Sequence, residues 1–293
     1  MPHKRKWIYL PDQPGILYLC ATPIGNLEDM TYRAVRVLSE VELIAAEDTR
    51  HTRKLLSHFD IHTPLISYHE HNKVVRGPEI IEKLILGQDV AVVSDAGLPG
   101  ISDPGSDLVA LAVQAGINVV PLPGANAALS ALVSSGLDTA LFTFIGFLPK
   151  NKKKRRELLA SFSISPYTIV LYESPHRIKQ TLTELIGAFG DRPAVAAREL
   201  TKKFEEFIRG TLESLMTHFA QIDPRGEFTL IVGGYEAAQD METLKDNEEQ
   251  LSLEDAVSAL MESGVPKKDA IKTIAQQRGL PKREVYQAAL ELA

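Results

Sequence analysis

Apolar residues fall into short blocks along the chain, and the spacing within each block alternates between two periods. Short apolar-rich runs at 15–21, 41–46, 64–68, 89–93 and 118–122 read as buried strands. Between them, 27–39, 52–59, 79–86 and 108–113 carry apolar residues suited to one helix face. Pro78 marks a helix start, and Ser106-Asp107 supplies an N-cap. Strands alternating with helices predict a parallel sheet. After the turn 123–127 and a small-residue helix at 128–135 a second series begins. Its strands are expected at 141–146, 168–172, 194–197, 207–210 and 228–233, with helices at 175–189 and 212–219. The pattern therefore predicts an α/β protein of two lobes, 14–126 and 127–236. Residues 1–13 form a loose extension and 237–250 an acidic, polar linker. Residues 251–293 form a small helical module, helix-turn-helix-like, in which Gly264-Val-Pro-Lys and Gly279-Leu-Pro-Lys are matching breaks.

The densest punctuation follows the 89–93 strand. Ser94-Asp-Ala-Gly-Leu-Pro-Gly-Ile-Ser-Asp-Pro-Gly105 is a long loop of glycine, proline and aspartate between a strand and a helix. Open α/β sheets bind ligands beyond the carboxyl ends of their strands, and a glycine-rich backbone can approach a ligand closely. Other strand ends carry polar clusters too, at 22–26, 47–51, 123–126, 172–177 and 198–202. A shared sheet edge would bring all six together. Their mixture of Gly/Pro backbone, acids and several Arg and His suits a polar cofactor beside a phosphate-bearing substrate.

Composition narrows the chemistry. The chain has 293 residues, 44% hydrophobic and 24% charged, enough for a substantial core. Its net charge of −6 confines any nucleic-acid contact to a local basic patch. A single cysteine, Cys20, leaves no intrachain disulfide and fits a reducing cytoplasm. No apolar run approaches the roughly 20 residues of a membrane span. The sequence lacks Gly-x-Gly and Gly-Lys, so the dinucleotide fingerprint and the P-loop are absent, as are a His-Glu-x-x-His helix and a Gly-x-Ser-x-Gly elbow. His69-Glu-His71 offers two ligands without an evident third, so no metal is assigned.

Five motifs then stand in order: Thr22-Pro-Ile-Gly-Asn-Leu27, Ala45-Ala-Glu-Asp-Thr-Arg-His51, the 94–105 loop, Tyr172-Glu-Ser-Pro-His-Arg177 and Arg198-Glu-Leu-Thr-Lys202. Together they resemble the bacterial small-subunit ribosomal RNA 2′-O-methyltransferases of the tetrapyrrole-methylase-like superfamily. Two positions are looser: Leu98 and the pair Ala125-Asn126 depart from the residues usual there. The resemblance implies two α/β lobes of the tetrapyrrole methylase type with S-adenosylmethionine in the cleft between them, usually in a homodimer. It implies methylation of a cytidine ribose in the decoding region of 16S ribosomal RNA, in the small ribosomal subunit. By position, Pro23, Ser94, Asp95, Ala96, Ile101, Asp103, Ala125, Asn126, Tyr172 and Thr229 would surround the cofactor.

A ribose hydroxyl is a poor nucleophile, so a base or a stabilising field is expected beside it. Candidates are Glu47, Arg50, His51, Glu173, His176 and Arg177, with Asp48 and Glu199 as further acids; His176 is the most tempting base, but no base is assigned. Lys150-Asn-Lys-Lys-Lys-Arg-Arg156 is the one dense basic run in an acidic chain. Lys152, Lys153, Lys154, Arg155 and Arg156 are expected to grip RNA backbone, with Arg198 and Lys202 adding phosphate contacts. Two alternatives stay open here: a methyltransferase of the same fold acting on a tetrapyrrole, and a non-catalytic RNA-binding ribosome-assembly factor.

Overall fold

The computed structural model describes residues 13–236, 252–262 and 264–290. The chain divides into two compact units, 1–235 and 236–293. In the first unit, β1 (Leu17–Cys20), β2 (Leu43–Ala46), β3 (Leu65–Ser67), β4 (Val90–Val93) and β5 (Val119–Leu122) alternate with α1 (Tyr32–Glu40), α2 (Thr49–His58), α3 (Lys73–Ile85) and α4 (Gly105–Gln114). These strands form one sheet, ordered β3-β2-β4-β1-β5, in which every neighbouring pair is parallel. Alternate side chains serve opposite faces. Cys20, Ile44, Ala91 and Leu122 pack with Ala34, Leu38 and Leu56 of α1 and α2. Leu17, Leu43, Val90 and Val92 pack with Ile80, Leu84 and Leu108 of α3 and α4. Each such fully buried aliphatic side chain contributes about 1.5–3 kcal/mol. Burial also pushes the Cys20 thiol up to about 12, so it behaves as a core residue.

The chain continues through α5 (Ala127–Ser135), β6 (Phe142–Phe147), α6 (Lys152–Ser161), β7 (Thr168–Glu173), α7 (Ile178–Phe189), β8 (Pro193–Arg198), β9 (Glu206–Thr211), α8 (Leu212–Gln221) and β10 (Phe228–Val232). The second sheet, β6-β7-β10-β8-β9, is mixed. β6 and β7 are parallel, whereas β10 runs antiparallel to both β7 and β8, and β9 antiparallel to β8. One face packs on α7 and α8 through Leu182, Leu185, Leu215 and Phe219, and the other on α5 through Ala128, Ala131 and Leu132. In the second unit, α9 (Leu253–Glu262), α10 (Lys267–Gln277) and α11 (Lys282–Ala288) enclose a small core that includes Val257, Ile271, Ile274 and Val285. Among the described residues, no helix is long and apolar enough to cross a membrane. The predicted extension at 1–13 and linker at 237–250 fall almost wholly outside the described residues.

Several expected boundaries differ. The segment 27–39 is broken: Leu27–Asp29 is a single 3-10 turn, and α1 starts afresh where the Thr31 side chain accepts the Ala34 N–H. Pro78 lies inside α3 rather than at its start, at the cost of one helical hydrogen bond. α2 begins at Thr49, capped by Asp48, so Arg50 and His51 belong to its first turn. α4 begins at Gly105, one residue before the expected Ser106-Asp107 cap, because Asp103 has already taken the Gly105 N–H.

Candidate active site

The carboxyl ends of β1, β2 and β4 are stitched together by short polar contacts. Thr22 and Gly97 exchange backbone hydrogen bonds of 2.9 and 3.0 Å, and the Thr22 hydroxyl donates to the Ser94 carbonyl at 3.2 Å. Asp95 accepts the Asp48 N–H at 2.9 Å, joining the β4 loop to the start of α2. The buried Ser94 hydroxyl turns back on the carbonyls of Ala96 and Gly97, each at 3.2 Å. Asp103 holds the next turn, accepting from Gly100 N–H at 2.8 Å and Gly105 N–H at 2.7 Å. Gly97 and Gly100 have φ of 82° and 90°, which glycine adopts without strain; Ser102 has φ of 64° and does not have that freedom. A side chain on Gly105 would meet Gly100 N at 2.7 Å, so this glycine is set by close approach.

The loop forms one wall of a cavity of about 380 Å³, within the range of small-molecule sites. The opposite wall comes from the second sheet: Phe147, Tyr172, Glu173, Ala197, Phe228 and Thr229. Because β10 is antiparallel to β7 and β8, its first residues share this edge with their last ones; Phe228 pairs with both Glu173 and Arg198. Tyr172 is fixed by the Ala128 N–H, which donates to its hydroxyl at 3.2 Å, and by edge contacts with Phe144 and Phe147. Among the residues nominated for the cofactor, Ser94, Asp95, Ala96, Ile101, Asp103, Asn126, Tyr172 and Thr229 line the cavity. Pro23 and Ala125 do not; their neighbours Ile24 and Ala127 do.

The nominated catalytic residues separate. Glu47 and Glu173 line the cavity, whereas Arg50, His51, His176 and Arg177 do not. Arg50 folds back on Asp48 in the solvent, bonding it at 2.8 and 3.1 Å, and the pairing holds the Asp48 carboxyl below its usual range. His51 and His176 are exposed. Arg177 donates to the Leu148 carbonyl at 3.2 Å, with its Nε 3.7 Å from Glu173. The two cavity glutamates nominated from the sequence differ sharply. Glu173 accepts from the Ser174 N–H at 2.8 Å and the Thr181 hydroxyl at 2.6 Å, and is fully buried. Glu47 sits beside two other carboxylates. Burial raises its pKa, Asp95 and Asp103 raise it further, and the Asp95 N–H and His69 offset only part of this.

Of the residues nominated for RNA, Lys152, Lys153, Lys154 and Arg156 are exposed on the first turns of α6. Arg155 is a correction: it is buried, bonded to Glu184 and to the carbonyls of Pro149 and Lys150, because the helical period turns it inward. Arg198 and Lys202 are also engaged. Arg198 donates to the Arg225 carbonyl at 2.6 Å and pairs with Glu206 at 3.2 Å. Lys202 bridges Glu199 at 2.9 Å and Glu227 at 2.8 Å. Burial works against the Lys202 charge, but the two glutamates outweigh it and raise its pKa. Glu227 also lines the cavity, although it stands at the amino end of β10, because β10 runs antiparallel to β7, and an apolar run in the sequence does not reveal strand direction. Phe147, Leu200 and Phe228 were missed as ordinary strand and loop apolar residues. Among the described residues, no three His, Cys, Asp or Glu side chains gather as a metal set.

Residues 17–216 match the family model for tetrapyrrole (corrin/porphyrin) methylases, and 247–293 match that of the RsmI C-terminal HTH domain. Proteins named ribosomal RNA small subunit methyltransferase I are similar along nearly the whole chain. The one from Halalkalibacterium halodurans is 51% identical over 94% of each chain. That from Synechocystis sp. is 50% identical over 95% of this chain and 98% of its own. Among solved structures, a uroporphyrin-III C-methyltransferase from Thermus thermophilus superposes with a TM-score of 0.54 at 21% identity, covering 75% of this chain and 94% of its own. A uroporphyrin-III C-methyltransferase structure from the same organism, complexed with S-adenyl homocysteine, gives a TM-score of 0.54 at 19% identity, over 75% and 97%. These structural likenesses speak to the fold.

Proposed function

The chain belongs to the tetrapyrrole methylase family and, within it, to the ribosomal RNA small subunit methyltransferases I, and from that membership we propose that it methylates the ribose 2′-oxygen of a cytidine in the decoding region of 16S ribosomal RNA. The observation that carries this is about 50% identity to methyltransferases of that name over 94–95% of the chain. The cavity suits S-adenosylmethionine. Glu47, Asp95 and Asp103 bring negative charge for a sulfonium, and Ile24, Phe147, Tyr172 and Phe228 offer apolar walls for an adenine. When bound, that cofactor supplies a methyl group already activated for transfer.

The protein's own task is then alignment and proton handling. The β4–α4 loop holds its shape through Ser94 and Asp103, so the cavity wall is set before any ligand arrives. Glu47 is the cavity carboxylate whose proton affinity is raised, the property wanted in an acceptor for a hydroxyl proton. Glu173 keeps its end of the site rigid through three partners. Lys152, Lys153, Lys154 and Arg156 supply an exposed basic face for phosphates flanking the target. The substrate is the RNA within the small ribosomal subunit, and the enzyme works as a cytoplasmic homodimer.

Labelled methyl transfer to free 16S RNA and to small subunits, with the modified position mapped by ribose-specific cleavage resistance, tests the proposal. A single protected cytidine is expected. Transfer to a porphyrin precursor with none to RNA would instead support the tetrapyrrole reading.

A further inference from the structure

The second unit carries a charge pattern that methyl transfer does not account for. Two similar turns, Gly264-Val-Pro-Lys-Lys-Asp269 and Gly279-Leu-Pro-Lys-Arg-Glu284, each open a helix of this unit. Gly264 and Gly279 both take positive φ, 93° and 62°, which makes the reversal possible. The repeat then sets two cations at the start of α10 and two at the start of α11. Helical spacing adds Lys272 above Lys268 and Tyr286 above Lys282. On the other side of the same helices, Ala270, Ile274, Val285 and Ala289 are buried in the core.

The outcome is one shallow concavity of about 910 Å³, lined by Lys267, Lys268, Lys272, Lys282, Arg283 and Tyr286, with Ile271 and Asp269 beside them. Lys268, Lys272, Lys282 and Arg283 are exposed and form no ion pair among the described residues. In a chain of net charge −6, Lys268, Lys272, Lys282 and Arg283 set four like charges around one hollow that holds the single carboxylate of Asp269, a local field that attracts a polyanion. Of the acidic residues among the described part of the unit, Asp269 lines the hollow and Glu284 opens α11, whereas Glu254, Asp255 and Glu262 are on α9.

Tyr286 narrows the choice of polyanion. The residue is 54% exposed beside the cations. A duplex offers such a ring no partner at its phosphate backbone, whereas an unpaired base offers a π-face. A lipid surface fits poorly, since among the described residues only Ile271 and Tyr286 add apolar surface to the hollow's lining. We infer that the α10–α11 face binds single-stranded or loop RNA, with its cations on successive phosphates and Tyr286 stacked on a flipped-out base. This deepens the proposed function by giving the RNA a second grip, chosen for unpaired structure.

Fluorescence anisotropy of the full-length chain with a labelled single-stranded RNA, and with a duplex of the same length, tests it across a salt series. Replacing Lys268, Lys272 and Arg283 together with Glu is expected to weaken single-strand binding at least 10-fold. It should also flatten the log–log salt slope by about 2, three phosphate contacts at about 0.7 each. Tyr286→Ala should weaken single-strand binding by about 5- to 10-fold, leave the salt slope and duplex binding unchanged, and be rescued by Tyr286→Phe. Triple-variant binding within 2-fold of the parent would overturn the inference, and so would a Tyr286→Ala loss equal for duplex and single strand. Calorimetry with S-adenosylmethionine and methyl transfer by the parent chain run alongside. A parent that transfers no methyl to RNA sinks the proposed function, while the anisotropy series still decides the surface.

Discussion

The two sheets meet the same cavity with opposite chemistry. At the edge of the parallel sheet the wall is a loop whose side chains are spent on backbone groups: Asp103 on two N–H groups and Ser94 on two carbonyls of the loop itself, and Asp95 on the start of α2. Glu47, at the same edge, is left among like charges and is pushed toward its protonated form. At the edge of the mixed sheet the side chains pair with one another, as in Glu173 with Thr181 and Arg177, and Lys202 with Glu199 and Glu227. The lesson is that a carboxylate in a cavity is not catalytic by residence. Glu173 is held by the Ser174 N–H, the Thr181 hydroxyl and Arg177; Glu47 lies among like charges, which is why the proposed function gives it the proton.

The contrast breaks most visibly at Glu173. Glu173→Ala leaves the buried Thr181 hydroxyl without its acceptor and removes the countercharge 3.7 Å from Arg177, and is expected to cost about 3–5 kcal/mol in chemical denaturation. Any methyl transfer lost should return at lower temperature, where the fold is restored. Glu47→Gln should do the reverse, keeping or slightly raising stability at neutral pH and lowering turnover by about 100-fold or more, with a smaller loss of S-adenosylmethionine affinity. The pH behaviour sharpens this. Native Glu47 keeps its proton where the unfolded chain has lost it, so its ionisation costs stability as pH rises from its ordinary 4.5 to the raised folded value. Turnover should climb over the same interval as the carboxylate forms, and Glu47→Gln should abolish both slopes. Asp103→Ala comes next. It frees the Gly100 and Gly105 N–H groups, and should lower stability by about 1–3 kcal/mol with about a 10-fold loss of cofactor affinity by calorimetry. Smallest of all is Arg50→Ala: its exposed pairing with Asp48 should leave melting temperature and turnover unchanged.

Much of the first sheet was legible because each buried strand of a parallel sheet is a compact apolar run, and the 94–105 loop announced itself through glycine and proline. Strand direction was not legible. Apolar periodicity says that 228–233 is a buried strand but not that it runs antiparallel to β7, and so Glu227 passed unnoticed at its amino end. Arg155 shows another limit. Within a run of cations only the helical phase of α6 tells which one turns inward to Glu184. His176 had attractive chemistry, yet the turn before α7 leaves it exposed and away from the cavity lining.

A crystal structure with S-adenosylhomocysteine soaked in bears most directly on the division of labour between the two edges. Density is expected in the 380 Å³ cavity, with backbone of residues 94–103 on one side, Tyr172 and Thr229 on the other, and the Glu47 carboxylate nearer the sulfur than that of Glu173. Density elsewhere on the chain, or a ligand whose sulfur lies against Glu173 with Glu47 turned away, would contradict it.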